Sequence, residues 1–333
     1  MVKNRFLFVA MLFAALSLGF VSCDDKKGNE PDDPTQGGQT EQGGSTENNG
    51  GEENPTPEEP VTFTLTLLSS NEAMGTVTEG GIYEKDAEVI IEATATKEAY
   101  MFVKWSDGNT ENPRTLTMTE NITLTAEFDY AYVDLGLSVK WAKCNVGADS
   151  VHHYGNYYAW GEVEPKEVYS WSTYKFMDSS INDKKGITKY TVADGQTEAV
   201  WYDSEENFIG DNKTILDSED DAAAVNMGGS WRMPTSAEQD ELRTKCTWTW
   251  TMLNGVNGYN IVGSNGNSIF LPVAGRRYNN SFSSVGETGF YWSSSLYKYH
   301  YSHIADVLYF YSDNMIWNYF DRYYGQSVRG VIE

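Results

Sequence analysis

Basic charge is scarce in this chain: 24 lysines and arginines stand against 48 aspartates and glutamates, a formal net charge of −24 over 333 residues. Nucleic acid is therefore not expected as a partner, because that binding draws its affinity from Lys and Arg on phosphates. Acidity on this scale favours solubility and repels anionic surfaces. Cysteine is nearly absent, with only Cys23, Cys144 and Cys246. Cys144 and Cys246 leave two readings open. A disulfide would close a loop of about 100 residues and contribute up to ~4.7 kcal/mol in the chain-entropy picture; otherwise both are buried apolar thiols. Histidine is limited to His152, His153, His300 and His303. The "HYSH" spacing suits two zinc ligands on a helix, yet Tyr297, Tyr299 and Tyr301 alternate through it as on a strand, where residues three apart face opposite sides. No Gly-rich phosphate loop, nucleophile elbow or other catalytic signature is present. The expectation is a protein that is not an enzyme and has no cofactor or metal. The one long, mostly apolar run, residues 6–21, has sixteen members, short of the roughly 20 a membrane helix needs.

That run follows Lys3 and Arg5 and ends in "FVSCDDKKGNE", the layout of a secretory signal peptide over residues 1–22. Ser22 before Cys23 resembles a bacterial lipobox, with Phe20 where Leu is usual. The resemblance implies cleavage before Cys23 and its diacylation, hence an outer-membrane lipoprotein. Asp24 and Asp25 resemble the surface-export signal of Bacteroidetes lipoproteins, which implies a protein facing the cell exterior. Each buried acyl methylene contributes roughly 0.8 kcal/mol, so several chains on one cysteine hold firmly. Ordinary secretion with a chance cysteine is the alternative. Cleavage would remove two basic groups and no acid, moving the formal charge from −24 to −26.

After Cys23, residues 24–60 hold eleven acids, two lysines and five of the chain's nine prolines, with no aliphatic or aromatic residue. Such a segment cannot bury enough surface to offset the entropy of ordering. Residues 23–60 are thus expected to be a lipidated cysteine and an acidic linker, with an end-to-end distance of roughly 35 Å.

Residues 61–129 read as a small all-β module. Val61, Phe63, Leu65 and Leu67 alternate with threonines at the period of a half-buried strand. The runs "GTVTEGGIY", "DAEVIIEATA", "YMFVKWSDG" and "TLTMTENITLTAEF" follow, separated by turn residues. Together they resemble the divergent internalin B-type repeat of bacterial surface proteins, a pattern in which Trp105 is a core residue and not a ligand platform. Such modules commonly serve as spacers or adhesive units.

Residues 130–333 mix signals. "AYVDLGLSVKWAKCNVGA" alternates like strands. "LDSEDDAAAVNMGG" predicts a short helix capped by Asp217 or Ser218 and stopped at Gly228 and Gly229. "PTSAEQDELRTKC" predicts another, opened by a Thr235–Glu238 capping box. The expected class is mostly β, with two short helices in an α+β C-terminal domain. Glu219, Asp220 and Asp221 are calcium candidates, but acids in a first helical turn are stabilised by the macrodipole without metal. "VDLGLSVKWAKCNVGA", "YGNYYAWGE", "DDAAAVNMGGSWRMPTSAEQDEL", "IFLPVAGRRY", "GFYWSSS" and "GQSVRGV" resemble the Fibrobacter succinogenes major paralogous domain. That family is similar in layout to C-type-lectin-like and formylglycine-generating-enzyme-like folds and implies no general reaction. The paired late cysteines of formylglycine-generating enzymes are missing, as are the paired acceptor loops of calcium-dependent lectins.

What this region has in excess is aromatic rings: fourteen of the 35 residues from 290 to 324 are Phe, Trp or Tyr. Rings with a polar tip desolvate area at low entropy cost, which suits contact with sugar or protein. Tyr297, Tyr299 and Tyr301, with Trp317 and Tyr319, are the candidate ligand-binding residues, and Trp292 is expected in the core. The resulting expectation is a surface lipoprotein that displays a non-catalytic, lectin-like domain for a glycan or a host or bacterial surface protein. The alternative is a structural subunit of a surface assembly, such as a fimbrial tip or a glycan-uptake complex.

Overall fold

The structure, a computed structural model, describes residues 58–297, 299 and 301–333. The readings for residues 1–57, Cys23 among them, and for His300 lie outside the described residues. The fold is mostly β, as expected. Eight strands make the first body: β1 (Thr62–Ser69), β2 (Gly75–Val77), β3 (Gly81–Glu84), β4 (Glu88–Ile91), β5 (Ala93–Ala95), β6 (Tyr100–Trp105), β7 (Arg114–Thr117) and β8 (Ile122–Tyr130). Four form a sheet in the order β3-β1-β8-β6, and β2–β5 and β4–β7 add two small pairs. The first and last strands run parallel, from Leu65↔Ile122 to Ser69↔Ala126. Alternation places Leu65 in the core and leaves Thr62, Thr64 and Thr66 exposed. Val61 lies ahead of β1 and is 60% exposed, so it does not join that face. Three of the apolar runs break into two strands each. In the first the break falls at Gly80, where a Cβ would lie 2.2 Å from the Leu65 carbonyl oxygen. Trp105 is fully buried and its indole N–H donates to Glu111 O at 3.0 Å, which makes it a core residue.

The larger body contains β9 (Tyr132–Val133), β10 (Lys140–Ala142), α1 (Ala222–Met227), α2 (Ser236–Lys245), β11 (Thr247–Leu253), β12 (Val256–Val262), β13 (Ser268–Pro272), β14 (Arg276–Tyr278), β15 (Ser281–Ser283), β16 (Thr288–Leu296), β17 (Ile304–Tyr311), β18 (Asn314–Asp321) and β19 (Val331–Ile332). Its sheets are β19-β10-β9, β11-β12-β13, β16-β17-β18 and the hairpin β14–β15. Residues 143–221 hold no strand, only three short 3₁₀ turns. Aromatic rings order this stretch in place of a ladder. Their bodies fill one core while their polar tips satisfy backbone carbonyls that would otherwise be buried unpaired. Tyr157 donates to Ala274 O at 2.6 Å, Tyr174 to Trp160 O at 2.7 Å and Trp160 to Ser293 O at 2.8 Å. Trp292, fully buried, returns the arrangement by donating to Tyr158 O at 2.9 Å. Two buried arginines complete it. The Arg322 guanidinium reaches Tyr174 Oη, Tyr190 O, Ser302 O and Lys189 O, and Arg329 reaches Asn145 Oδ1, Ala142 O, Lys143 O and Phe270 O.

Both expected helices form, and the second opens with the Thr235–Glu238 capping box. The first starts later than its acids suggest: Asp221, not Asp217 or Ser218, is the N-cap. Its carboxylate accepts from Ala223 N and Ala224 N at 2.9 Å and also from Met233 N. Gly228, at φ +74°, stops the helix.

Residues 58–333 form one compact unit. The β module, which runs one residue past the expected boundary to Tyr130, is docked through several contacts. Tyr130 packs edge-on against Trp231 and donates to Asn226 O at 3.1 Å; Trp231 Nε1 donates to Asp129 Oδ1 at 3.2 Å. Lys97 pairs with Asp149 at 2.7 Å.

Cys144 sits in this seam beside Ala99 and Ala148, whereas Cys246 packs on the core around Trp141 and Leu242. Both thiols are free, so the bridge reading is corrected to two separate apolar packing roles. Burial pushes the Cys144 thiol up to about 11. Thiolate is the reactive form. Alkylation of native protein at pH 8 is therefore expected to spare Cys144, and denaturation without reductant to expose both thiols. Peptide mass mapping reads the result, and a Cys144–Cys246 crosslinked peptide would contradict it.

Candidate functional site

The aromatic band resolves into two populations. Phe290, Tyr291, Trp292 and Phe310 are buried core rings, and Tyr299, Tyr301 and Tyr319 are 62%, 45% and 46% exposed. Tyr297, Tyr299 and Tyr301 do not project from one strand. The β16–β17 ladder ends at Leu296↔Ala305, Tyr297 N closes it on Ile304 O at 3.2 Å, and the tyrosines follow in the connecting loop. The loop nonetheless gathers them. Tyr297 lies 5.3 Å from Tyr299, 6.2 Å from Tyr301 at an interplanar angle of 12°, and 4.3 Å from Tyr319.

Trp317 and Tyr319 alternate on β18 as expected. Register places Tyr319 opposite Asp306 and Trp317 opposite Leu308 on β17, so all four share a sheet face. The start of α2 lies over that face. Trp317 Nε1 donates to Asp240 Oδ1 at 3.0 Å, and Arg243 holds the same oxygen at 2.6 Å. The result is a cleft of about 440 Å³ with Tyr297, Tyr299, Trp317 and Tyr319 as aromatic walls. Ser236, Asp240, Asp306 and Asn318 supply polar groups, and no lysine, arginine or histidine is among its described lining residues. Such a site, apolar with a few convergent polar groups, is where small ligands bind. Burial first, and then the neighbouring Tyr319 and Tyr299, raise the Tyr297 phenol above its usual range, so it is a neutral hydroxyl at physiological pH.

Four of the five candidate residues thus line one cleft, and Tyr301 stacks behind Tyr297. Asp240, Asp306, Ser236 and Asn318 escaped sequence reasoning. A signal existed for Asp306, an acid inside the apolar run "IADVLYFY". None existed for Ser236 or Asp240, which arrive from a helix about 60 residues upstream.

The acidic candidates are satisfied internally. Asp217, Glu219 and Asp220 bring carboxylate oxygens within 4.8 Å of one another. Lysines already occupy the position a cation would take. Lys175 and Lys189 reach buried Asp220 at 2.6 Å, and Lys213 and Lys189 reach Asp217 at 2.7 and 3.0 Å. Asp221 is turned away as a helix cap. His152 and His153 pack against each other at 4.5 Å, and His303 is a half-buried ring whose pKa burial lowers to about 4.

Lys213 and then Lys189 hold the Asp217 carboxyl down to about 2. Because the folded value lies below the unfolded one, near 3.9, this contribution is complete above pH ~4 and is lost as pH falls toward 2. The group is largely solvated, so its size is under ~1 kcal/mol. Asp217→Asn is expected to lower the urea midpoint at pH 5 and to match the parent near pH 2; a constant gap across that range would contradict the assignment.

Comparison with known families adds one finding. Residues 65–132 match the divergent InlB B-repeat domain. That span covers the β module and its exit into β9, in agreement with the resemblance drawn from "FVKWSDG" and "LTAEF". Comparison with curated proteins and with solved structures finds no match.

Proposed function

We propose that this chain is a non-catalytic binding protein of the bacterial cell surface. In this reading Cys23 carries a lipid anchor in the outer membrane, the acidic linker and β module set the larger body at a distance, and the Tyr297–Tyr319 cleft takes a glycan or protein ligand. The lectin-like resemblance of residues 130–333 supports the presentation of a ligand face. The single observation that carries the proposal is the cleft itself, which brings Tyr297, Tyr299, Trp317 and Tyr319 together around unfilled space while the neighbouring rings of the same band are buried.

The test is an array of glycans and host surface proteins probed with the purified protein. Replacing Tyr297, Tyr299 and Tyr301 together by alanine is expected to weaken capture by roughly 30-fold or more, the equivalent of one hot-spot loss of about 2 kcal/mol. The melting temperature should hold, because two of the three rings are largely exposed. Unchanged affinity would remove the site. In cells, Cys23→Ser is expected to move the protein from the membrane to the soluble fraction, and retention in the membrane would remove the anchor.

A further inference from the structure

We propose that the outer edge of β18 is where two copies of this chain pair, antiparallel, into one continuous sheet. Backbone bonding decides which groups that edge offers. His303 and Arg322 follow the Ile304↔Asp321 pair, and Arg322 N donates to His303 O at 3.1 Å. Hydrogen-bonded pairs alternate along an antiparallel ladder. Asn314, Ile316, Asn318 and Phe320 therefore bond to β17, while Met315, Trp317 and Tyr319 turn their N–H and C=O groups outward. The opposite edge of the same sheet is covered: Gly275 N reaches Thr288 O at 2.8 Å, Ser327 N reaches Phe290 O at 3.1 Å and Trp292 N reaches Ser327 O at 3.0 Å. On β18, no described residue outside the strand bonds to the outward backbone groups, and only the side chain of Asn318 holds Tyr319 N, at 2.9 Å.

Sheet edges are ordinarily blunted by charge, proline, bulges or shortness. The β module follows that rule. β6 carries a bulge between Phe102 and Lys104 and a Lys104–Glu127 pair, and β3 has four residues. β18 has none of these devices: it is eight residues long, pairs with β17 without a shift in register, and holds no charge from Asn314 to Phe320. It also exposes an apolar side chain on each face, Ile316 at 37% and Tyr319 at 46%. β11 ends a sheet too, but its exposed face carries Thr247 and Thr249, whose hydroxyls suit water. Symmetry and charge favour a second copy as the occupant. The same outward N–H and C=O groups recur on each copy, so the edge is complementary to itself across a two-fold axis. Two chains of −24 repel where acids meet, and this uncharged stretch is where they can approach. With Trp317 opposite the partner's Tyr319, both such pairs exchange backbone bonds and Asp321 faces the partner's Met315, so no acid opposes an acid. Paired residues project on one side of a sheet. The two clefts then open on the same face, where, on the reading of the cleft as a ligand site, a repeating ligand engages both.

The experiment is sedimentation velocity of the full-length protein carrying Cys23→Ser, which cannot be acylated there, read alongside hydrogen exchange over about 1 to 100 µM. One added strand is a small contact and small interfaces are weak, so a dimer that forms across this range is expected. The amides of Met315, Trp317 and Tyr319 are expected to exchange ~3-fold or more slowly at the upper end, and those of Trp248, Trp250 and Met252 on β11 to stay unchanged. Ile316→Glu, a charge on the edge, is expected to raise the concentration needed for dimers ~10-fold or more, whereas Met252→Glu adds the same charge on β11 and should leave it unchanged. A chain that is monomeric at about 100 µM would overturn the proposal, as would a dimer that survives Ile316→Glu and dissociates with Met252→Glu. Protection of the three β18 amides by an added unstructured peptide, with the chain still monomeric, would give the edge to a different partner and overturn the second copy.

Discussion

Arg322→Met is expected to lower the unfolding free energy by about 3–5 kcal/mol. The guanidinium is fully buried, and no described carboxylate hydrogen-bonds or ion-pairs with it, Asp211 acting only at a distance. Its charge is met by dipoles instead: Tyr174 Oη at 2.8 Å, Ser302 O at 2.7 Å, Lys189 O at 3.0 Å and Tyr190 O at 3.1 Å. Trp160 lies under its plane at 4.7 Å. Burial pulls its pKa below the usual arginine value, and the neighbouring Tyr174 hydroxyl opposes that shift. Methionine matches the stem but leaves three backbone carbonyls without a donor, and each buried unsatisfied group costs about 1–3 kcal/mol. Arg322→Lys keeps the charge, yet one ammonium cannot span four acceptors arranged for a fork, so an intermediate loss is expected. Urea denaturation measures both; a midpoint within error of the parent for Arg322→Met would refute the role.

Trp292→Ala carries the second large effect, about 3–5 kcal/mol from the cavity and lost transfer energy. The same change also removes one of the two donors to the Tyr158 carbonyl, leaving the Gln326 backbone N–H on it. The informative comparison is with Trp317→Ala, which alters a partly exposed cleft wall. Trp317→Ala is expected to cost about 1 kcal/mol or less of stability and to weaken ligand capture, while Trp292→Ala should depress the melting temperature with ligand contacts intact wherever the protein remains folded. Equal destabilisation by the two would erase the division of the aromatic band into core and cleft.

That division shows what a sequence can and cannot carry. Trp105, Trp292 and the Thr235–Glu238 cap were legible because each depends on neighbours a few residues away or on a hydrophobic pattern that repeats locally. The start of α1 was misplaced because four acids within five residues look alike until packing gives Asp221 to the helix and Met233, and Asp217 and Asp220 to lysines. The three tyrosines alternate as on a strand, but the ladder stops at Leu296 and a loop assembles the cluster by contact with Tyr319. Residues 143–221 were least legible of all. Their order depends on ring tips meeting carbonyls more than 100 positions away, as Tyr157 meets Ala274, and no periodicity records such a pair.

The parallel pairing of β1 with β8 has a mechanical consequence. A pull entering at Thr62 and leaving through Tyr130 would draw two neighbouring strands in opposite directions along their length, loading the bonds of their ladder together instead of opening them one at a time from an edge. β1 is also flanked by β3, so a second row of bonds shares the strain. Rupture under force is governed by the unfolding barrier and not by equilibrium stability, and this arrangement makes the small module a stiff link under tension rather than a passive bead on a string.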